Sequence, residues 1–320
     1  MHARPLIHAL LGSLVFLSLA AFLSGCVTNA ATGQRQLDYF SREDEIALGL
    51  EAGPQLTQEY GGAVTDPDLN RYVTGVVMSM TPHTEADYPS MPWKVTLLNS
   101  PVINAFALPG GQVFLSRGLA EKFTTEAQLA GVLGHEIGHV TAEHADRSVS
   151  RQMVLQGVAV VAGTVAGDSG MLQQAAGVLV NASGTFALKF NREQENEADM
   201  LGMRYMTKAG YHPKGMLEVM QVLAKESAGQ SPPEWQSTHP NPDTRIGIIK
   251  ERLNSDTYRR LIAERDLQEH QPRFQREFLD RIRRLPPAPR PQQGALEIDL
   301  EHPASWCAHC ALAAANLSGR

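Results

Sequence analysis

The 320-residue chain is poor in cysteine and has no excess of positive charge. It contains only 3 cysteines, and its 28 lysines and arginines are outnumbered by 34 aspartates and glutamates, for a net charge of −6. No basic stripe precedes the last quarter of the chain, so the charge pattern gives no reason to expect nucleic-acid binding. The sequence also has no internal repeat, which excludes a repeat array, and its length is ample for a hydrophobic core.

The first cysteine ends a segment that is typical of a bacterial lipoprotein signal. An apolar run from Leu6 to Ala21 follows Arg4 and is short for a bilayer span. Small residues precede the cysteine in Leu23-Ser24-Gly25-Cys26, which resembles a lipobox. We therefore predict a signal peptide over residues 1–25, lipidation at Cys26 and a polar tether over residues 26–38. Because valine rather than aspartate follows the cysteine, the resemblance to bacterial lipoproteins favours the periplasmic side of the outer membrane.

The other two cysteines lie in a tail of different composition. Residues 263–285 are predicted to form an amphipathic basic helix, and a proline-rich stretch then begins a tail over residues 286–320. Cys307 and Cys310 form a C-x-x-C pair, for which a local disulfide is the first expectation in an oxidising periplasm. The alternative is a structural zinc site that also uses His302 or His309, although the sequence has no second cysteine pair to complete it.

A stretch in the middle of the chain combines a helix signal with residues that bind metal. Thr125 followed by Gln128 predicts a capped helix start. Apolar residues then recur at helical spacing, namely Leu129, Val132, Leu133, Ile137 and Val140. Within this helix, His135 and His139 face the same way and can bind one Zn²⁺, with Glu136 beside them able to act on water. The alternative is a chance motif on a core helix, which would bury unpaired polar groups at a cost in free energy.

Two histidines leave a catalytic zinc ion one protein ligand short. Positions 142 and 145, where a metzincin would place glycine and histidine, are both alanine. Glu195 and Asp199 lie four apart on a second predicted helix and therefore share a face. Glu195 can complete the site while Asp199 accepts a proton from a ligand imidazole.

Three further polar residues near these motifs are not predicted to bind metal. Glu193 and Glu197 fall on different faces from Asp199 and are expected to be solvated surface charges. His144 lies five residues after His139, which turns it off the ligand face. We expect His144 to support the structure of the site.

The surrounding pattern predicts an α+β domain that is mainly helical. Ser41 and Asp66 are predicted to cap two helices, the first of which should be disturbed at Gly53-Pro54. Alternating residues predict three short strands, at residues 93–97, 102–107 and 112–115, with a turn at residues 109–111. A small sheet directly before the metal-binding helix is typical of a zincin-like metalloprotease domain, which we place at residues 39–262.

An exposed strand at the edge of such a sheet can pair with an extended peptide substrate. Asn104, Ala105 and Phe106 are the predicted substrate-binding residues of that edge. The alternative is an ordinary hairpin without a role in binding.

The stretch from residue 147 to residue 190 is rich in glycine, alanine and valine. We predict two small-residue helices beside the active site, or a lid over it. Each apolar arm is too short and too often interrupted to favour a transmembrane hairpin.

The two motifs together resemble a known family. His135-Glu136-Ile137-Gly138-His139-Val140 and Glu195-x-x-Ala198-Asp199-x-x-Gly202 are similar to the gluzincin family of zinc metallopeptidases that includes the CAAX prenyl proteases. With the lipobox, the match resembles its bacterial periplasmic lipoprotein branch over about residues 40–258. The resemblance implies that Glu195 is the third ligand of one Zn²⁺ per chain.

The resemblance also implies a histidine-proline pair and a later arginine near the metal. Here these are His239-Pro240 and Arg245. His239 would be a fourth ligand in a resting state or would stabilise an oxyanion. Without the resemblance, the simpler interpretation is that His239 stacks in a proline-rich loop.

The predicted function is that of a zinc metalloendopeptidase of envelope protein quality control. Glu136 would act as general base toward an activated water, and the metal with His239 or Arg245 would stabilise the oxyanion. Misfolded or extended polypeptides are the expected substrates, because strand pairing selects conformation more than sequence. The expected partners are the membrane, through the lipid, and the outer-membrane assembly machinery. The alternative function is a latent or non-proteolytic assembly factor that binds clients as a chaperone.

Overall fold

The computed structural model of the chain describes residues 26–37, 40–85, 88–155, 175–180, 188–227, 233–240 and 242–289. The predicted signal peptide, the Cys307–Cys310 pair and most of the glycine- and alanine-rich stretch lie outside these residues, as does the side chain of Cys26. Among the described helices, none is both long enough and apolar enough to cross a bilayer.

Residues 26–37 are folded onto the domain, which differs from the polar tether predicted over residues 26–38. Strand β1 (Cys26–Thr28) pairs antiparallel with β2 (Arg35–Leu37). The turn between them places the buried Asn29, whose Nδ2 donates to the main-chain oxygen of Thr141 at 3.0 Å. Small polar residues are typical of a linker in sequence, but here their amides hydrogen bond to the domain.

Two capped helices precede the sheet, as predicted. Helix α1 (Arg42–Glu59) begins at a complete capping box on Ser41, and α2 (Pro67–Met80) begins at Asp66. The predicted disturbance at Gly53-Pro54 is wrong, because α1 continues through Pro54. The carbonyl that loses its donor belongs to Leu50, which is 55% exposed, so water can replace the missing bond.

The three predicted strands form one small sheet of order β3-β5-β4. Strand β3 (Lys94–Leu98) runs parallel to β5 (Gln112–Ser116), and β4 (Ala105–Leu108) pairs antiparallel with β5. Gly110 in the tight turn between β4 and β5 has a φ of 72°, and a Cβ there would lie 2.4 Å from the Cα of Ile46 on α1. Only glycine allows this turn to pack against α1.

The metal-binding helix and the second motif helix cross at glycines. After the short helix α3 (Arg117–Ala120), α4 (Glu126–Thr141) carries the first motif, α5 (His144–Leu155) follows it, and α6 (Arg192–Lys208) carries the second. A Cβ on Gly202 would lie 2.7 Å from the carbonyl carbon of Gly134, and one on Gly138 would lie 2.7 Å from the oxygen of Ala198. The two backbones can therefore approach closely, which brings the two motifs together.

The remaining helices close the domain around α4. They are α7 (Lys214–Ser227), α8 (Glu234–Thr238), α9 (Pro242–Leu253) and α10 (Asp256–Glu264). Helix α8 lies within a stretch that was expected to be a loop. Residues 175–179 are also helical, and short 3₁₀ turns occur at Thr81–His83, Tyr88–Ser90 and Pro109–Gly111.

The basic segment after residue 262 is part of the same domain, which corrects the predicted boundary. Its helix consists of α11 (Gln271–Phe274), a π-helical turn (Gln275–Leu279) and α12 (Asp280–Ile282). Four of its apolar side chains are at most 1% exposed and belong to the main core, namely Phe274, Phe278, Leu279 and Ile282. The predicted single helix is interrupted because Gln268 instead pairs with the backbone of Gly210 and His212.

Taken together, the elements confirm the predicted class. The domain is α+β and mainly helical, with one small sheet packed beside the helix that carries the metal-binding motif.

Candidate metal centre

Helix α4 presents the first motif to the interior of the protein. Its start is capped as predicted by the Thr125 hydroxyl, although Gln128 bonds back to the amide of Thr124 rather than to that of the cap. His135 and His139 are at most 2% exposed, and their Nε2 atoms lie 3.0 Å apart. The helix spacing therefore directs two ring nitrogens at one point.

Helix α6 and the end of α8 supply two more donor atoms. Glu195 Oε1 lies 3.6 Å from His139 Nε2, and Glu195 Oε2 lies 3.6 Å from His135 Nε2. His239, directly after α8, places its Nδ1 3.0 Å from Glu195 Oε1 and 3.3 Å from His135 Nε2. His135, His139, Glu195 and His239 form a buried group whose ligand atoms all lie within 4.8 Å of one another.

This donor set fits a tetrahedral metal ion. Three imidazole nitrogens and one carboxylate oxygen are ligands that zinc favours, at distances of about 2.0–2.1 Å, so tetrahedral ligand atoms stand about 3.3 Å apart. The five separations given by hydrogen-bond and ion-pair geometry are 3.0–3.6 Å, and all ligand atoms lie within 4.8 Å of one another. Four buried lone-pair donors at such distances repel one another unless a cation or protons lie between them.

Glu136 is the buried acid beside these donors. It is fully buried, and neither of its carboxylate oxygens has a hydrogen-bond partner among the described residues. The same holds for Nε2 of His239, which lies 3.9 Å from Glu136 Oε1. Burial raises the pKa of Glu136 above the value of an ordinary glutamate. The carboxylate is thus available to a small polar molecule at the centre.

Asp199 and Arg245 contact the side chains of His135 and Glu195. Asp199 Oδ1 lies 2.9 Å from His135 Nδ1, the hydrogen-bonding position predicted for it. Arg245 donates to both oxygens of Asp199, at 2.7 and 2.6 Å, and also to Oε2 of Glu195. Burial alone would raise the pKa of Asp199, but Arg245 and His135 hold it well below the usual range. Arg245 is therefore directed at the two carboxylates, away from the oxyanion role expected from the resemblance.

A second imidazole supports His139. His144 is fully buried, with Nδ1 2.9 Å from His139 Nδ1 and Nε2 3.1 Å from Glu197 Oε2. The expectation that His144 faces away from the ligand position is confirmed. The expectation that Glu197 is a solvated surface charge is wrong, because it also contacts Arg147 and Gln34. Burial lowers the pKa of His144 to about 4, so its ring is neutral at pH 7.

Comparison with known proteins supports what this geometry indicates. The model of peptidase family M48 matches residues 67–253, which include every donor of the cluster. The chain belongs to peptidase family M48. The family resemblance seen in the motifs is thereby confirmed.

Named relatives of this M48 chain are proteases. It is 31% identical over 219 residues to the beta-barrel assembly-enhancing protease of Escherichia coli K12, covering 65% of this chain and 44% of the relative. It is 33% identical over 198 residues to the protein of the same name from Yersinia pestis, covering 60% and 40%. It is 27% identical over 225 residues to the mitochondrial metalloendopeptidase OMA1 of Schizosaccharomyces pombe, covering 69% and 65%. The match thus spans less than half the length of these two bacterial relatives.

Two aromatic side chains stack on histidines of the metal centre. Neither was predicted from the sequence to lie there. The ring of Phe190 lies 4.0 Å from that of His139 at an angle of 29°, and the ring of Trp235 lies 4.8 Å from that of His239 at 18°. Trp235 could have been found, because it precedes His239 by four residues, the spacing of one helix face. Phe190 has no comparable signal, since it meets His139 only through the tertiary fold.

The predicted substrate-binding edge is present but buried. Strand β4 is an outer strand of the described sheet and contains Ala105 and Phe106, yet both are fully buried, as is Asn104 before the strand. Asn104 Nδ2 donates to Glu234 Oε1 at 3.0 Å, and the amide of Trp235 donates to Ile103 O at 3.2 Å. The expectation of an exposed edge is therefore wrong, because α8 lies against the start of β4.

Proposed function

We propose that this chain is a zinc-dependent endopeptidase of the bacterial envelope. The observation that carries the proposal is the buried carboxylate of Glu136, without a partner among the described residues, beside four converging donor atoms. A buried carboxylate is costly unless a polar group meets it, and a water molecule held at the metal is such a group. Membership of peptidase family M48 and the names of the relatives support the same reaction.

The described residues suffice for peptide-bond hydrolysis. Zinc held by His135, His139 and Glu195 would supply the Lewis acidity that lowers the pKa of the attacking water. Glu136 takes the proton of that water on a carboxylate oxygen and passes it to the leaving amine.

His239 gives the site a resting arrangement. Three protein ligands are typical of catalytic zinc, and the fourth position is kept for water. His239 Nδ1 lies where that fourth ligand would be, 3.0 Å from Glu195 Oε1. The other ring nitrogen, Nε2, has no partner among the described residues and lies 3.9 Å from Glu136 Oε1. It is the atom that would donate a hydrogen bond to the developing oxyanion when the ring leaves the metal.

Extended or misfolded envelope polypeptides are the substrates we propose. Pairing of such a chain with β4 would require α8 to move off Ile103 and Asn104 at the start of that strand. We place the enzyme in the periplasm, anchored through lipid on Cys26 and at the outer membrane. The bacterial relatives are named for beta-barrel assembly, which supports the assembly machinery as a partner.

The proposal is tested on the purified full-length chain in detergent. Zinc content is measured first, and casein cleavage is then followed with and without chelator for wild type and for Glu136→Gln. The matched control is Glu193→Gln, which removes the same charge from an exposed position. Chelator-sensitive cleavage should be lost in Glu136→Gln and kept in Glu193→Gln. If cleavage and its chelator sensitivity both survive in Glu136→Gln, the assignment of the reaction to this site is wrong. Full rescue of a deletion strain by that variant would favour the client-binding alternative.

A further inference from the structure

The two histidines of the first motif are held in different ways. His135 Nδ1 lies 2.9 Å from a carboxylate, Asp199 Oδ1. Among the described residues no carboxylate contacts His139 Nδ1, which lies instead 2.9 Å from Nδ1 of His144; His144 Nε2 lies 3.1 Å from Glu197 Oε2. The carboxylate that supports His139 thus acts through a second imidazole.

The proton positions along this chain follow from metal binding. An imidazole that coordinates through Nε2 carries its proton on Nδ1, so His139 must donate there. His144 Nδ1 must then accept, and the proton of His144 must lie on Nε2, where it is donated to Glu197. Each contact then has one donor and one acceptor, and no other assignment satisfies both distances with Nε2 of His139 on the metal.

We propose that His144 and Glu197 are positioning residues that fix the ring of His139 for metal binding, and that the N-terminal β1–β2 hairpin holds them in place. The inference rests on the proposed metal site. It assigns to His144 a part in metal affinity that is distinct from simple packing. An apolar side chain at position 144 would leave the buried Nδ1–H of His139 without an acceptor.

The hairpin meets this chain at Glu197. Gln34, in the turn of the hairpin, donates from Nε2 to Glu197 Oε1, the oxygen that His144 does not use. Arg147 approaches Oε2 of the same carboxylate at 3.6 Å. Glu197 is thereby held from two sides and cannot rotate away without losing the contact with His144.

The same hairpin also contacts the C-terminal end of α4, the helix that carries the first motif. Asn29 Nδ2 donates to the oxygen of Thr141 in the last turn of α4, and Gln36 donates to Glu143. Glu143 begins the connection to α5 with a φ of 55°, a conformation that non-glycine residues seldom adopt. The segment that directly follows the predicted lipid anchor therefore fixes both the end of α4 and the support of its second ligand.

Zinc affinity, read by competition with a chromogenic chelator, tests the proposal without reference to catalysis. The variants are made in the full-length chain and compared with wild type. His144→Phe should weaken zinc binding roughly 10- to 100-fold, the usual loss when the support of a ligand is removed. His144→Asn should recover part of that loss, because its side-chain oxygen can take the place of Nδ1 and accept from His139. Glu197→Gln should have a smaller effect than His144→Phe.

The hairpin is tested by a matched pair of glutamine variants. Gln34→Ala should weaken zinc binding roughly two- to tenfold, the worth of one hydrogen bond. Gln55→Ala, at an exposed position of α1, should leave it unchanged, as should Glu193→Gln on α6. The melting temperature of each metal-free variant separates lost affinity from lost folding.

The outcomes separate this inference from the proposed function. Wild type that binds no zinc would overturn both. If wild type binds zinc and His144→Phe and Glu197→Gln bind it with unchanged affinity, the positioning role alone is overturned. The positioning role is also overturned if His144→Phe lowers only the melting temperature of the metal-free protein, since packing would then account for the residue.

Discussion

Glu136 should make the metal-free protein less stable at neutral pH than its neutral counterpart. The side chain is fully buried, and its two oxygens lack hydrogen-bond partners within the described residues. An unsatisfied buried group costs about 1–3 kcal/mol, and more when charged. Glu136→Gln keeps the shape and removes the charge, but its amide is still unpaired, so we expect a net gain of about 2 kcal/mol. For a domain of this size that corresponds to a rise in melting temperature of roughly 4–8 °C.

The gain should depend on pH in a defined direction. Burial raises the pKa of Glu136 in the folded state above the ordinary value of 4.5. The folded state then binds the proton more tightly than the unfolded state, so wild type loses stability as the pH rises from 4.5 to the folded pKa. Above the folded pKa the loss is complete and constant. The difference between the variant and wild type should therefore be small near pH 4 and largest at neutral pH.

Thermal unfolding of both proteins in excess chelator, at pH 4 and pH 7, measures the effect. The exposed Glu193→Gln serves as the control and should melt with wild type at both values. If Glu136→Gln melts at or below the wild-type temperature at pH 7, the free-energy cost assigned to the unpaired buried carboxylate is wrong. A gain of equal size at both pH values would show that shape rather than ionisation is responsible.

Other parts of the domain yield predictions of the same kind. Gly202→Ala would place a methyl group 2.7 Å from the facing helix, so we expect about 1–3 kcal/mol of lost stability from overpacking and weaker zinc binding in the chelator assay. Arg245→Met leaves Asp199 and Glu195 buried without their cation, and urea unfolding should reveal a loss of about 3–5 kcal/mol. Phe278→Ala should cost about 3–5 kcal/mol in one cooperative transition, whereas a separate early transition would mean that the C-terminal helix is an independent unit.

Local signals were sufficient for most of the site. Histidines four apart on one helix, and Glu195 four before Asp199 on another, are same-face relations that hold in any fold containing those helices. The caps at Ser41 and Asp66 are equally local, because a side chain bonds to amides two or three residues away. For this reason the two motif helices were predicted correctly, and their metal-binding residue types lie in one buried group.

Other features depend on partners far away in sequence. Residues 26–37 are held on the domain by contacts that no short window contains, such as the hydrogen bond from Asn29 Nδ2 to the main-chain oxygen of Thr141. The buried edge at Phe106 and the pairing of Glu197 with His144 have the same origin. A period of 3.6 residues assigns a side chain to a face, but it does not say what packs against that face.

The sequence by itself therefore determined the chemistry: which side chains can bind a metal, which carboxylate can act as a base, and which helices carry them. Only the tertiary structure decided how they meet. Glycines at the crossing of α4 and α6 bring His135 and Glu195 within 3.6 Å, and α8 lays His239 over the fourth position. The reason is physical, since helix periodicity is encoded within a few residues, whereas the approach of two helices depends on residues 60 or more positions apart, such as Gly138 and Ala198.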